Sequence, residues 1–144
     1  MEKFKIIEHI ADVGVEVYGK DLNELFENSA HAMLSIMFSE PVLRSGESIQ
    51  IEIEEPSLEQ LLHSWLSELL YRFSVDEITF SHFTVDVNNT NFTLKARVFF
   101  EKFDEKKYFR QTEIKAVTYY QLKIDECRDA EGNLFYKARI IFDV

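Results

Sequence analysis

The chain has 144 residues with a net charge of −10, 46% apolar residues and 14% aromatic residues. That composition excludes a disordered polymer and sets the expectation of a single domain over residues 1–144 with a substantial core. The acidic balance argues against broad, unassisted binding to a phosphate backbone, which needs clustered Lys and Arg. It fits a basic partner, bound cations or plain solubility.

In chain order, Phe4–Glu8 and Val13–Tyr18 read as strands. Asp21 and Glu24 then form an N-cap pair ahead of a helical stripe of Leu22, Leu25, Phe26, Met33, Ile36 and Met37, stopped by Pro41. Ser48–Glu54 alternates Ile49, Ile51 and Ile53 with Gln50, Glu52 and Glu54, the pattern of a half-buried strand. Ser57 and Gln60 repeat the capping pattern after Pro56. They open a second helix with the stripe Leu58, Leu61, Leu62, Trp65, Leu66, Leu69 and Phe73, and His63 on its polar side predicts a surface residue. Thr79–Val87 and Phe92–Phe100 flank Asn88–Asn91, a hairpin signal. Glu101–Lys115 is polar and reads as a loop suited to function. Ala116–Asp125 and Leu134–Phe142 flank a turn with Gly132–Asn133. The expected order is ββαβαββββ, an α+β fold with two helices packed on one face of an antiparallel or mixed sheet.

The one cysteine, Cys127, excludes an intrachain disulfide framework and a zinc site built on several thiolates. Charged residues at Glu2, Lys3 and Lys5, and no apolar core in the first residues, predict no secretory leader. No run of about 18 apolar residues predicts a membrane span. A cytoplasmic location is expected. There is no Gly-rich phosphate loop and no nucleophile elbow, which lowers the expectation of a self-sufficient enzyme.

Three segments carry groups suited to chemistry. His9-Ile10-Ala11-Asp12-Val13-Gly14 lies between two short strands, and its Asp12 stands outside any solvated charge run. Taken alone, such a residue more often bonds nearby backbone N–H groups. Ile140-Ile141-Phe142-Asp143-Val144 sets an aspartate after three bulky apolar residues. Asp143, oxygens at Val144 and a further carboxylate would make a hard-oxygen set suited to magnesium, calcium or manganese, whereas the plain alternative is a frayed tail. Spacing cannot bring Asp12 and Asp143 together, because they lie at opposite ends of the chain. Glu113-Ile114-Lys115-Ala116-Val117-Thr118-Tyr119-Tyr120 leads from the charged loop into a strand, where Lys115 is either a solvated strand end or a point charge for a phosphate or carboxylate. Of the four histidines, only His9, three residues before Asp12, is placed for such a site.

Together with Trp65-Leu66-Ser67-Glu68-Leu69-Leu70-Tyr71 and Phe103-Asp104, these segments occur in an order that resembles the archease family, over nearly the whole chain. The resemblance implies an accessory protein that is not itself an enzyme. Archeases activate the RtcB-type tRNA-splicing RNA ligase, promote its guanylylation and multiple turnover, and widen its nucleotide use. Contact with tRNA and GTP is then indirect, through the ligase. The resemblance further implies a divalent metal, calcium with magnesium or manganese as alternatives, held by Asp12, Asp143 and the Val144 carbonyl. Lys115 and His9 follow as candidates for contact with the ligase active site. Ile10 stands where the family usually shows Thr, Tyr120 where it shows His, and Tyr108 near a frequent His, which bears on secondary contacts. A stand-alone metal-dependent hydrolase and a chaperone-like binding protein are the competing expectations.

Overall fold

The computed structural model describes residues 2–8, 12–38, 46–104 and 111–144. The elements are β1 (Phe4–Glu8), β2 (Asp12–Gly19), α1 (Leu22–Met37), β3 (Ser48–Glu54), α2 (Leu58–Asp76), β4 (Ile78–Asn88), β5 (Thr93–Lys102), β6 (Ala116–Val117), β7 (Lys123–Arg128) and β8 (Leu134–Asp143). The expected α+β class holds. Two points of the expected arrangement change: the strands form two antiparallel sheets, and there is one strand more than expected.

The larger sheet runs β1-β2-β8-β6, with β7 also paired to β8, and the smaller runs β3-β5-β4. Each helix touches both sheets: α1 meets β1, β2 and β8 on one side and β4 on the other, while α2 meets β6 and β7 as well as β3 and β4. The helices are therefore buried over wide arcs. On α1 this reaches Asn28 and Ser29, whose polar groups are satisfied by the Tyr18 and Leu25 carbonyls at 2.8 and 2.7 Å. One buried cluster joins Val15 and Val17 of β2, Phe26 and Met33 of α1, Trp65 and Leu69 of α2, Val98 of β5, and Ile140 and Phe142 of β8.

The extra strand arises inside Ala116–Asp125, read from sequence as a single strand. Chain 116–117 pairs with Asp143 and Phe142, chain 123–128 pairs with Arg139 to Leu134, and residues 118–122 between them make a turn. Gln121 there has φ +53°, and the Leu122 N–H donates to the Tyr119 carbonyl at 3.2 Å. A left-handed residue cannot continue an extended strand, so the segment breaks although its composition favours one.

Local signals elsewhere act as the sequence predicts. The Asp21 carboxylate accepts the Glu24 N–H at 2.8 Å, and the Ser57 hydroxyl accepts the Gln60 N–H at 3.2 Å, capping the two helices. Gly19 lies where β2 hands over to α1, and a Cβ there would meet the Leu25 N and Cα and, at 2.9 Å, the Asp21 carbonyl oxygen, so only glycine lets the helix start this close to the strand. At the far end of α1 the chain returns: the Gln111 and Thr112 N–H groups donate to the Met37 and Ile36 carbonyls at 2.9 and 3.2 Å, satisfying acceptors that a helix end leaves open. Phe38, Phe73 and Phe103 pack ring to ring beside this closure. No helix of the described residues is long and apolar enough to cross a membrane.

His31 of α1 is half-buried, edge-on to Phe83 at 5.1 Å, and burial, followed by the positive potential of Lys3 and His82, holds its pKa below the usual value. An unfolded imidazole titrates near 6.5, so below that pH the unfolded chain binds more protons than the folded one. Stability is expected to fall as pH drops below about 6.5, by up to about 1.4 kcal/mol per pH unit, until the folded imidazole also protonates. Urea unfolding followed from pH 7.5 down to pH 5 checks this, and the His31→Phe variant should show the flatter profile.

Candidate metal centre

β2 and β8 pair over eight consecutive positions, beginning with Asp12 opposite Asp143 and ending with Gly19 opposite Tyr136. The register is fixed by burial. Val15 and Val17 of β2 and their partners Ile140 and Ala138 are all 0% exposed, and a slip by one residue would turn these side chains out of the core. With that row facing inward, strand alternation sends Asp12 and Asp143 to the opposite, outward face. Residues directly opposite on antiparallel strands hold their Cβ atoms about 4.5–5.5 Å apart. Strands far apart in the chain thus bring Asp12 and Asp143 into register.

The third strand of this corner is β6. Ala116 is in register with Asp143 on its other side, and the Lys115 N–H donates to the Asp143 carbonyl at 2.8 Å. Lys115 is exposed, whereas Ile114 before it and Val117 after it are buried, so the lysine sits between two anchors. Val144 is half-buried and packs against the core. His9 lies outside the described residues.

His63, expected on the surface, is instead half-buried and tied to this corner. Its Nε2 lies 2.7 Å from the Val117 carbonyl, which only accepts, so Nε2 carries the proton and donates. Nδ1 is 3.5 Å from the Ser67 hydroxyl, and the ring stacks on Tyr119 at 3.8 Å and 10°. On the sheet side, the Thr118 N–H and hydroxyl both donate to the Ile141 carbonyl, at 3.1 and 2.9 Å. The short β6 is therefore pinned to α2 and to β8 at once. Sequence offered no signal for this, because the histidine's partner is a backbone carbonyl far along the chain.

Asp12, Asp143 and the neighbouring Val144 carbonyl are the residues that could hold a metal, and hard oxygens without sulfur or imidazole would suit calcium, magnesium or manganese and not a soft metal. Two like charges set directly opposite on a sheet repel, and a cation would relieve that repulsion. Among the described residues no group of three or more His, Cys, Asp and Glu side chains converges on one point. Calcium takes six to eight oxygens, more than Asp12, Asp143 and the Val144 carbonyl would supply.

Residues 4–144 match the model of the archease protein family (MTH1598/TM1083). A protein archease from Sulfurisphaera tokodaii is 36% identical over the full length of both chains. One from Methanosarcina barkeri is 38% identical over 99% of this chain and 97% of its own. The solution structure of Methanobacterium thermoautotrophicum protein 1598 superposes with a TM-score of 0.79 at 32% identity, covering all of both chains. A crystal structure of an archease from Thermotoga maritima, described as a possible chaperone, shares the fold with a TM-score of 0.62 at 24% identity, over 97% of this chain and 96% of its own.

Proposed function

The chain belongs to the archease family, and from that premise we propose that it activates an RtcB-type tRNA-splicing RNA ligase through a divalent-cation site at the β2–β8 corner. The observation that carries the reading is the register of Asp12 opposite Asp143. Carboxylates from the two ends of the chain gain nothing for the fold by facing each other, since the pairing costs repulsion.

In this reading Asp12, Asp143 and the Val144 carbonyl hold calcium, magnesium or manganese. When bound, the cation supplies positive charge and orientation for a phosphate or a partner carboxylate, a positioning role. The open remainder of the coordination shell suits completion by a group from the ligase site. Lys115, held beside Asp143 through its own backbone N–H, would bring a mobile ammonium to the same place, a point charge matched to a nucleotide phosphate or a ligase carboxylate. The net charge of −10 complements a basic, RNA-binding partner. Chemistry on tRNA and GTP stays with the ligase.

The test is multiple-turnover ligation by a cognate ligase with and without this protein, in the presence of calcium, magnesium or manganese. The expected result is faster turnover and more guanylylated ligase. An unchanged rate at saturating protein would reject the proposal.

A chaperone-like reading is favoured by a different feature, the exposed Tyr71 and Val75 of α2, at 59% and 57% exposure. It predicts suppression of aggregation for unrelated clients that is indifferent to the Asp12→Ala change. The stand-alone hydrolase reading predicts metal-dependent cleavage of RNA or nucleotides by the protein alone, lost on the same change.

A further inference from the structure

On the outward face of the larger sheet, four residues along β8 from Asp143, lies a second polar site. Antiparallel pairing places Arg139 between Glu16 of β2 and Lys123 of β7, and the adjoining row places Lys137 between Tyr18 and Asp125. The Gln121–Leu122 turn, extruded where β6 gives way to β7, walls the site, and the whole lines an open pocket of about 450 Å³. That is within the ~300–1,000 Å³ of small-molecule sites. The spacing along the strand puts it roughly 13 Å from Asp143, and the buried Gly14–Ile141 pair lies between the two.

The charges here are unevenly satisfied. The Glu16 carboxylate accepts the Tyr18 hydroxyl at 2.8 Å, and Asp125 lies 3.4 Å from the Lys123 ammonium. Tyr18, its pKa pushed up to about 12 first by burial and then by this bond, keeps its proton for Glu16 at all ordinary pH. Arg139 has no such partner: its Nε is shielded from solvent and meets no acceptor among the described residues. A shielded donor on a charged group without an acceptor is costly and is normally satisfied by something. In a chain of net charge −10, sheet register collects Lys123, Lys137 and Arg139 around one pocket with only Glu16 and Asp125 opposing them, a local excess of positive charge that composition did not reveal.

We propose that this cavity binds a phosphate ester, with Arg139 Nε–H, Lys137 and Lys123 donating to its oxygens. A lone carboxylate would be satisfied by the arginine fork. Three separate cationic groups match the larger number of oxygens on a phosphate. The ester has two sources, a free nucleotide or a single-stranded RNA, and both present the same group. The site is read on the isolated protein, so its success or failure is separable from that of ligase activation.

The experiment titrates the isolated protein, at low salt, with a nucleoside triphosphate, a 5′-phosphorylated oligoribonucleotide of eight nucleotides, and a glutamate-rich peptide. It follows the Arg139 Nε–H resonance and heats of binding. The expected result is that both phosphate compounds shift that resonance and the peptide does not, with R139Q and K137Q each weakening binding about tenfold or more. Salt should weaken the oligonucleotide with a slope of about −0.7 per phosphate engaged. Tighter binding of the oligonucleotide than of the triphosphate assigns the site to RNA, and equal or weaker binding assigns it to a nucleotide. Thermal melts check that both variants fold. Should R139Q fail to fold, K137Q and the wild-type resonance decide the matter. No phosphate binding, equal binding of the peptide, or binding indifferent to both substitutions overturns the proposal.

Discussion

Changing Asp143 or Asp12 to alanine is expected to return ligation to the rate of the ligase alone while the protein stays folded. Each change removes one of the two carboxylates brought into register at the corner, and among the described residues no third side chain completes a group that could replace it. Metal affinity should fall at least ~100-fold, beyond the usual cost of losing a supporting contact around a metal. The core is untouched, since both residues face away from Val15, Val17, Ile140 and Phe142. A second readout separates the metal role from a general defect. In chelator, replacing Asp143 by asparagine should raise thermal stability slightly, by at most about 1 kcal/mol and less after solvent screening, because it removes cross-strand repulsion. At a cation concentration of 100 times Kd, the wild type should gain about 2.7 kcal/mol and the variant should not. The order of the two melting temperatures therefore inverts when metal is added. An order that stays the same, or activation that survives either alanine, would remove the metal from the proposal.

The second large effect is expected at Trp65, where truncation to alanine should cost about 3–5 kcal/mol. Trp65 is 0% exposed and lies edge-on to Phe83 at 5.7 Å. Its indole N–H donates to the Phe26 carbonyl at 3.0 Å, tying α2 to α1 between the sheets. Truncation opens a cavity where both helices and β4 meet, and folded domains hold only ~5–15 kcal/mol in reserve. With a urea m-value of about 2 kcal/mol per molar, the unfolding midpoint should drop by roughly 1.5–2.5 M. Trp65→Phe keeps most of the volume and loses the hydrogen bond, so its loss should be smaller. Activation per folded molecule should stay near wild type for both, because the residue is buried in the core whereas Asp143 is exposed on the outward face of the sheet. A drop below 1 kcal/mol for the alanine variant would mean that the core closes over the gap.

What the sequence reveals of this molecule follows the range of the forces involved. Asp21 with Glu24, and Ser57 with Gln60, announce the two helices because capping acts within one turn. The Ile49, Ile51, Ile53 alternation announces β3, and the Asn-rich turn announces the β4–β5 hairpin, because both are local. The division into two sheets is silent, since an apolar stripe records that a helix is covered and not by how many layers. The break between β6 and β7 is silent too: Tyr119, Tyr120 and Leu122 favour strand, and the turn among them exists because two parts of β8 take different partners. Asp12 and Asp143 are each legible as candidate oxygen donors, but their pairing enters only through resemblance. Their proximity depends on β2 finding β8 across nearly the whole chain, which no window of residues records. The surroundings of Arg139 are silent for the same reason, as its neighbours are assembled by register.

The place of β8 has a bearing on biosynthesis. The last strand in chain order is an interior one, with β2 along one edge and β6 and β7 along the other. A nascent polypeptide lacking it has a β1–β2 hairpin with an open, sticky border and two short segments with nothing to zip onto. Sheet closure must therefore wait for β8 to emerge from the ribosome, a non-local and slow event. Because Asp143 lies on β8, it meets Asp12 only once that late-made strand has been inserted between β2 and β6.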